Sequence, residues 1–455
     1  MISLERRQIV SSPHIISNQP AQSRRPRVVI VGAGFGGLAA VRTLAQAPVD
    51  VLLINRTNYH GFWPLLYQVA TAGLEPESIA YPVRAILRRY RNVNFLLAEV
   101  HSVDFTRQLV HTNTGSVQYD YLILAAGSTT NFFGNERIAR HTLGMKDLNE
   151  AQRLRNHVLL CCERAAAESD PDKRMALLTF AVVGGGPTGV ELAGAFVELI
   201  RHVIRHDYPM LDVRQARVVL IEATDRILAS FPDSLQQAAL HRLQRMGVEV
   251  RLNTPVADAD TNGLRFRDGS SLAAKTVVWA AGVRGAPLAD ALGVTLGRGA
   301  RVVVTPQLTL PDDDRVFVIG DMAYLEGYRP GVAYPMVAPV AIQMGEQAAR
   351  NILAQIDGRP MQPFQYHDKG QMATIGRSAA VLDAFGVRLS GWLAWVGWLF
   401  VHLMALVGFR NRALVLLNWA YSYFTYDRGV RLIFGIGAEE HEEALLDVGK
   451  RQDYR

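Results

Sequence analysis

A chain of 455 residues, 49% hydrophobic and 20% charged, has room for two or three domains and the composition of a soluble α/β protein. Its net charge of +6 comes with no Lys/Arg-rich block interleaved with aromatics, which argues against nucleic acid and leaves a basic surface suited to an anionic membrane. The cysteines are Cys161 and Cys162, adjacent in sequence, so neither a disulfide framework nor a zinc site is expected and the compartment reads as reducing.

Residues 1–25 contain Ser, Pro, Gln and Arg but no apolar run, which predicts a flexible arm in preference to a secretory or transit peptide. A strand from Arg27 to Val31 then runs into the turn Val31-Gly32-Ala33-Gly34-Phe35-Gly36-Gly37 and a helix from Gly36 to Ala45. Glycines at this spacing permit a tight turn, close approach of backbone to a pyrophosphate, and helix–strand packing. The next strand, Val51 to Ile54, ends at Asn55, the place where a nucleotide-binding unit sets a ribose partner; an amide is a weaker partner than the usual acid. A buried strand at Tyr121-Leu122-Ile123-Leu124 closes on Ala125-Ala126-Gly127, small residues that let a bound cofactor come close.

After a helical stretch from Glu150 to Ala167, the plan repeats. A strand at Phe180 to Val183 enters Val183-Gly184-Gly185-Gly186-Pro187-Thr188-Gly189, and the following strand, Arg217 to Ile221, ends at Glu222. A carboxylate there accepts hydrogen bonds from both ribose hydroxyls of NADH and repels the extra phosphate of NADPH. Thr276-Val277-Val278-Trp279 closes on Ala280-Ala281-Gly282, and Val316-Phe317-Val318-Ile319 closes on Gly320-Asp321, whose carboxylate suits the ribityl chain of a flavin. Two such cradles hold two dinucleotides, one bound flavin and one exchanging nicotinamide. Glu191 follows the second turn where Ala39 follows the first. A charge so close to a pyrophosphate would repel it, so the side chain should face the nicotinamide ribose or the space between the cofactors.

This order of motifs resembles the two-dinucleotide-binding-domain flavoproteins, and specifically the type II, non-proton-pumping NADH:quinone oxidoreductases. Further matching stretches are Asn58-Tyr59-His60, Pro64-Leu65-Leu66-Tyr67-Gln68-Val69-Ala70, Leu154-Arg155-Asn156-His157 and Gly186 to Gly194. The end matches as well, at Gly408-Phe409-Arg410-Asn411-Arg412 and Tyr423-Phe424-Thr425-Tyr426-Asp427-Arg428-Gly429. The resemblance implies an α/β fold of two Rossmann-like domains, the NADH domain inserted into the FAD domain, with a C-terminal helical membrane-binding segment. It places FAD at Gly32, Gly34, Gly36, Gly37, Asn55, Ala126, Gly127, Gly320 and Asp321. NADH, the exchanging substrate, falls at Gly184, Gly186, Thr188, Gly189, Glu191, Glu222 and Gly282. Glu191 is implied at the NADH or reaction site. The family's quinone pattern, Ala-Gln-x-Ala-x-Gln, reads here Ala338-Pro339-Val340-Ala341-Ile342-Gln343: Gln343 keeps the second amide, and Pro339 replaces the first. Redox cysteines at the spacing that sulfide oxidation needs are absent.

From Gly391 to Phe409 the chain carries no formal charge, and a second apolar run spans Ala413 to Tyr426. His402 near the middle of the first run, its internal glycines and its scattered Trp residues favour a monotopic hairpin over a spanning helix. Arg410, Arg412, Arg428 and Arg431 would add attraction to anionic lipid. The expected domains are a FAD domain at residues 26–140 and 283–384 with the quinone site in its second part, an NADH domain at 141–282, and a membrane anchor at 385–455. The expected function is respiratory NADH:quinone oxidoreduction with ubiquinone or menaquinone, on the cytoplasmic face of the cell membrane, by a chain for which a homodimer stays open. The rival readings are a soluble rubredoxin- or ferredoxin-type reductase and a non-catalytic NADH-binding flavoprotein sensor.

Overall fold

The computed structural model describes residues 25–327, 331–425 and 430–433. Most of the expected N-terminal arm, Arg428 and the C-terminal stretch 434–455 lie outside the described residues. The chain divides into two compact units, each assembled from segments far apart in sequence. The first takes the described residues up to His60, then Tyr81–Thr129 and Val283–Lys369; the second takes Gly61–Ala80, Thr130–Gly282 and the described residues from Gly370 on.

The first unit is built on a six-stranded sheet in the order Thr309–Leu310, Asp313–Val318, Tyr121–Leu124, Arg27–Val31, Asp50–Asn55, Val93–Leu97. Every pairing is parallel except that of the short edge strand Thr309–Leu310. Val28, Val29 and Ile30 are fully buried, as a central strand with both faces covered requires. Strand order reverses at Arg27–Val31, since its neighbours Asp50–Asn55 and Tyr121–Leu124 lie on opposite sides. The first glycine turn leaves the carboxyl end of that strand, at the switch point where such sheets bind ligands. Its helix, Phe35–Leu44, crosses the long helix Ala338–Ile356 at two glycines: a Cβ on Gly345 would lie 2.2 Å from the Gly36 carbonyl oxygen.

The second unit repeats the design on a four-stranded parallel sheet, ordered Val248–Arg251, Arg217–Ile221, Thr179–Val183, Thr276–Trp279. Its order reverses at Thr179–Val183, again beneath a glycine turn. An antiparallel sheet of Gln371–Thr374, Ala380–Ala384 and Val387–Gly391 belongs to the same unit and leads into the C-terminal helices. Residues 61–80 and 370–384, assigned by sequence to the flavin domain, fall in this unit. The cause is packing: Leu66–Ala70 sits on the helices Leu148–Ala167 and Pro187–Glu198, and Gln371–Thr374 sits on the latter.

The apolar run near the C-terminus forms a helix of 14 residues, Trp392–Ala405, instead of a continuous one. It ends because Leu406 turns extended and Gly408 takes φ +89°, after which a second helix runs from Phe409 to Thr425. Among the described residues, no helix is long and apolar enough to cross a membrane. The first of these helices is tied to its unit by Trp398, which is 1% exposed, stacks on His402 with ring centroids 4.0 Å apart, and lies near Tyr67 and Trp419.

Candidate active site

The first cradle is shaped by backbone contacts that leave no room for side chains. Gly32 takes φ +109°, and a Cβ there would lie 2.2 Å from the Ala125 carbonyl oxygen, so strand 121–124 delivers Ala125-Ala126-Gly127 directly against the turn. Gly37 is equally constrained, since its Cβ would lie 1.9 Å from the Gly32 carbonyl oxygen. Gly34 and Gly127 instead face open space, and a Cβ added to either would meet nothing within 4 Å. Gly34 is also the N-cap of the helix and offers no side-chain cap, so first-turn N–H groups there lack a capping side chain and suit an anion. Asn55 accepts a hydrogen bond from the Ala33 N–H at 2.9 Å and donates to Thr57 at 2.8 Å, so it braces the turn. His60 donates from Nδ1 to the Ala33 carbonyl at 2.9 Å; burial lowers its pKa to about 4 and keeps it neutral. Gly320 takes φ +66°, and Asp321 beside it accepts a hydrogen bond from the Ser128 hydroxyl.

The second cradle matches the first position by position. Gly184 takes φ +113° with a Cβ site 2.5 Å from the Ala280 carbonyl oxygen, and the Cβ site of Gly189 is 1.9 Å from the Gly184 carbonyl oxygen. Gly186 caps the helix without a side-chain bond and faces open space; Thr188 is exposed, and Gly282 takes φ +154° at the end of the neighbouring strand. Glu222 does here what Asn55 does in the first cradle: Oε2 accepts from the Gly185 N–H at 2.7 Å, and Oε1 accepts from Thr224 N–H at 2.8 Å and its hydroxyl at 2.9 Å. An ionised carboxylate has about four acceptor positions, so one stays available to a ribose hydroxyl. Glu222→Gln is therefore expected to narrow the NADH over NADPH preference, read as the ratio of kcat/KM values. An unchanged ratio would reduce Glu222 to a brace of the turn.

Glu191 lies one turn into the helix Pro187–Glu198, and its Oε1 accepts from the Thr374 N–H at 3.4 Å. Burial raises its pKa to about 8, so at neutral pH the carboxyl is protonated and does not repel a pyrophosphate. The unfolded chain ionises this group near 4.5 while the folded chain holds the proton, so its contribution to stability falls as pH rises from 4.5 through about 8. The Thr374 hydroxyl also shares a hydrogen bond with the Tyr67 hydroxyl at 3.0 Å. Tyr67 in turn accepts from Gln68 Nε2 at 3.0 Å, and Gln68 Oε1 accepts from Trp419 Nε1 at 2.8 Å.

Tyr67, Gln68, Thr374 and Trp419 border a cavity of about 590 Å³ within the second unit. Its walls are mostly apolar, with Trp395, Trp398, Leu399, Leu403, Leu416 and Trp419 prominent, while Gln68, Thr374, Glu198, His202 and Arg377 supply polar atoms. Glu198 accepts from the Arg377 N–H, and the Arg377 guanidinium lies 4.2 Å from the centre of the Tyr423 ring. Beyond Glu198 the helix opens into a π-helical stretch, Leu199–Ile204, a form that often marks a functional site. Glu191 and Glu198 stand seven residues apart on this helix and so share a face, but of the two only Glu198 lines the cavity.

Gln343 lies in the first unit, on the long helix Ala338–Ile356, and its amide is engaged at both ends by the backbone of His367, at 3.0 and 2.9 Å. Pro339 occupies the first turn of that helix, where a missing N–H costs nothing, so its presence there has a local physical reason. Cys161 and Cys162 are buried and unpaired with each other; Cys161 lies 3.4 Å from His157 Nε2.

The chain matches the pyridine nucleotide-disulphide oxidoreductase family over residues 26–345 and the NDH2 C-terminal domain family over residues 368–426. It is 42% identical to the type II NADH:quinone oxidoreductase Ndh of Mycobacterium tuberculosis, over 89% of this chain and 90% of that one. It is 32% identical to the type II NADH:quinone oxidoreductase of Staphylococcus aureus (strain NCTC 8325 / PS 47), over 82% and 92%. In fold it is similar to NDH2 from Plasmodium falciparum solved in complex with NADH, with a TM-score of 0.82 at 19% identity, covering 90% of this chain and all of that one.

Proposed function

We propose that this chain, which belongs to the type II NADH:quinone oxidoreductases, reduces its quinone in the aromatic cavity of the second unit. The overall reaction is NADH + H⁺ + quinone → NAD⁺ + hydroquinone. FAD, when bound, supplies the two-electron relay between the nicotinamide and the quinone. The first cradle suits it: uncapped N–H groups after Gly34, open space at Gly34 and Gly127, and Asp321 as an acceptor for a polyhydroxyl chain. The second cradle suits NADH for the same reasons, with Glu222 toward the ribose and Glu191 kept neutral by burial.

The observation that supports the quinone reading most strongly is the cavity itself, which joins a wall of indole and leucine side chains to a few polar groups at Gln68, Thr374 and Glu198. An isoprenoid tail fits the first part and a carbonyl-bearing ring the second. Gln343 does not line this cavity, and its amide is held at both ends by the backbone of His367. The exposed apolar residues of the C-terminal helices, among them Trp392, Leu393, Phe400 and Leu417, would seat the protein on a bilayer as a monotopic foot. With no helix long enough to cross among the described residues, we place the chain at one membrane surface, the cytoplasmic one where NADH is made. An exposed foot of this kind has no use in a soluble rubredoxin- or ferredoxin-type reductase.

The test is to fill the cavity from its solvent-accessible wall. Ala420→Phe adds a ring at an exposed position of the helix Phe409–Thr425 that lines the cavity. Overpacking of this kind costs on the order of 1–3 kcal/mol, so kcat/KM for quinone should fall roughly tenfold or more. Reduction of ferricyanide by NADH, which needs no quinone site, should hold. Unchanged quinone kinetics would move the site out of this cavity.

A further inference from the structure

The polar groups of the cavity differ in what they can offer a quinone, whose carbonyl oxygens only accept hydrogen bonds. The carboxylate oxygen of Glu198 already receives the Arg377 N–H, and it has no proton to give while ionised. The Thr374 hydroxyl is buried and engaged with Tyr67, and the Arg377 guanidinium lies over Tyr423. Gln68 is the neutral amide of the wall, and its orientation is fixed by chemistry. An indole N–H can only donate, so the atom 2.8 Å from Trp419 Nε1 has to be the amide oxygen of Gln68. The amide nitrogen then lies at the other end, where one of its two N–H groups reaches the Tyr67 hydroxyl at 3.0 Å. Tyr67 also shares a hydrogen bond with the Thr374 hydroxyl at 3.0 Å. Burial pushes the Tyr67 phenol well above its ordinary pKa, so this link stays neutral. The second N–H of Gln68 has no partner among the described residues, on a partly exposed side chain that borders the cavity. Tyr67 and Thr374 behind it are buried.

We propose that Gln68 donates a hydrogen bond to the quinone headgroup, and that Trp419 is a positioning residue that decides which end of the Gln68 amide faces the cavity. The inference rests on the cavity being the quinone site. It gives Trp419 of the C-terminal foot a role in the site beyond apolar burial: without the indole N–H the amide is free to turn its oxygen toward the quinone, where it would repel a carbonyl.

The experiment uses the full-length, FAD-loaded protein on phospholipid vesicles, with a short-chain ubiquinone and with ferricyanide as acceptors. Gln68→Met keeps the length of the side chain and removes the amide. It should lower kcat/KM for the quinone about fivefold, the size of one neutral hydrogen bond, and leave ferricyanide reduction unchanged. Trp419→Phe keeps a ring and removes the indole N–H, and should lower kcat/KM for the quinone by about two- to fivefold. The double variant should be no worse than Gln68→Met alone, because without the amide there is nothing to orient. Additive losses, equal losses with ferricyanide, or an unchanged kcat/KM in Gln68→Met would each overturn the proposal. Ala420→Phe in the same assay separates the two claims. If it slows the quinone reaction while Gln68→Met does not, the cavity stands and Gln68 is wrong; if it has no effect either, the cavity reading fails with the proposal.

Discussion

Gly37→Ala is expected to yield protein without bound flavin, and Gly189→Ala protein that keeps its flavin but is no longer reduced by NADH. Each added methyl would lie 1.9 Å from a backbone carbonyl oxygen, that of Gly32 in one cradle and of Gly184 in the other. Backbone cannot swing aside as a long side chain can, so the turn has to open. Opening it displaces the N–H groups that would receive the pyrophosphate, at the helix end where charge and geometry favour an anion. The cost of such overpacking is on the order of 1–3 kcal/mol or more to the local fold, and the loss of the cradle removes most of the binding. Gly34→Ala and Gly186→Ala are the informative partners. Neither Cβ would touch a protein atom within 4 Å, so these variants should fold normally and bind their dinucleotides more weakly. Flavin absorbance after purification and stopped-flow reduction by NADH read the two cradles independently. A flavin-loaded Gly37→Ala protein would remove the first turn from the cofactor site.

Those cradles were readable in the sequence because their constraints are local. A carbonyl that blocks a Cβ demands glycine wherever it occurs, and the residue closing the next strand is positioned by the strand's own length; Asn55 and Glu222 bracing Ala33 and Gly185 follow from that spacing. The wall of the cavity was not readable in the same way. Its central hydrogen bond joins Gln68 to Trp419, 351 residues apart, and nothing in either neighbourhood announces the other. The grouping of residues 61–80 with the second unit was hidden for the same reason: it depends on what Leu66–Ala70 packs against, not on its own pattern. The break in the apolar run at Leu406–Gly408 was signalled only by a glycine, a residue that helices also tolerate internally.

Replacing Leu393, Phe409 and Leu417 together by Gln is expected to release the protein from phospholipid vesicles while preserving its reaction with a short-chain quinone. The three side chains are 62%, 86% and 64% exposed, and none lines the cavity. Full burial of a large apolar side chain is worth roughly 1.5–3 kcal/mol, so covering the exposed fraction gives about 1–2 kcal/mol apiece. Lost together, they should weaken partitioning by on the order of a hundred- to ten-thousandfold. Substitution is a cleaner test than cutting the chain near Leu389, which would interrupt the strand Val387–Gly391 and remove Trp398, a 1% exposed residue packed near Tyr67. The arginines contribute less than their number suggests. Arg431 is paired with Asp207 at 2.9 Å and Arg412 donates to the Leu406 carbonyl at 2.9 Å, whereas Arg410 is exposed. High salt should therefore detach the unaltered protein only slightly, since screening weakens a small electrostatic part and leaves the apolar part intact. Flotation on vesicles of mixed anionic and zwitterionic lipid, at low and high salt, reads both effects. If the triple variant floats as the unaltered protein does, these helices are not the membrane contact; if it detaches but also loses short-chain quinone reduction, the foot shapes the cavity as well as seating it.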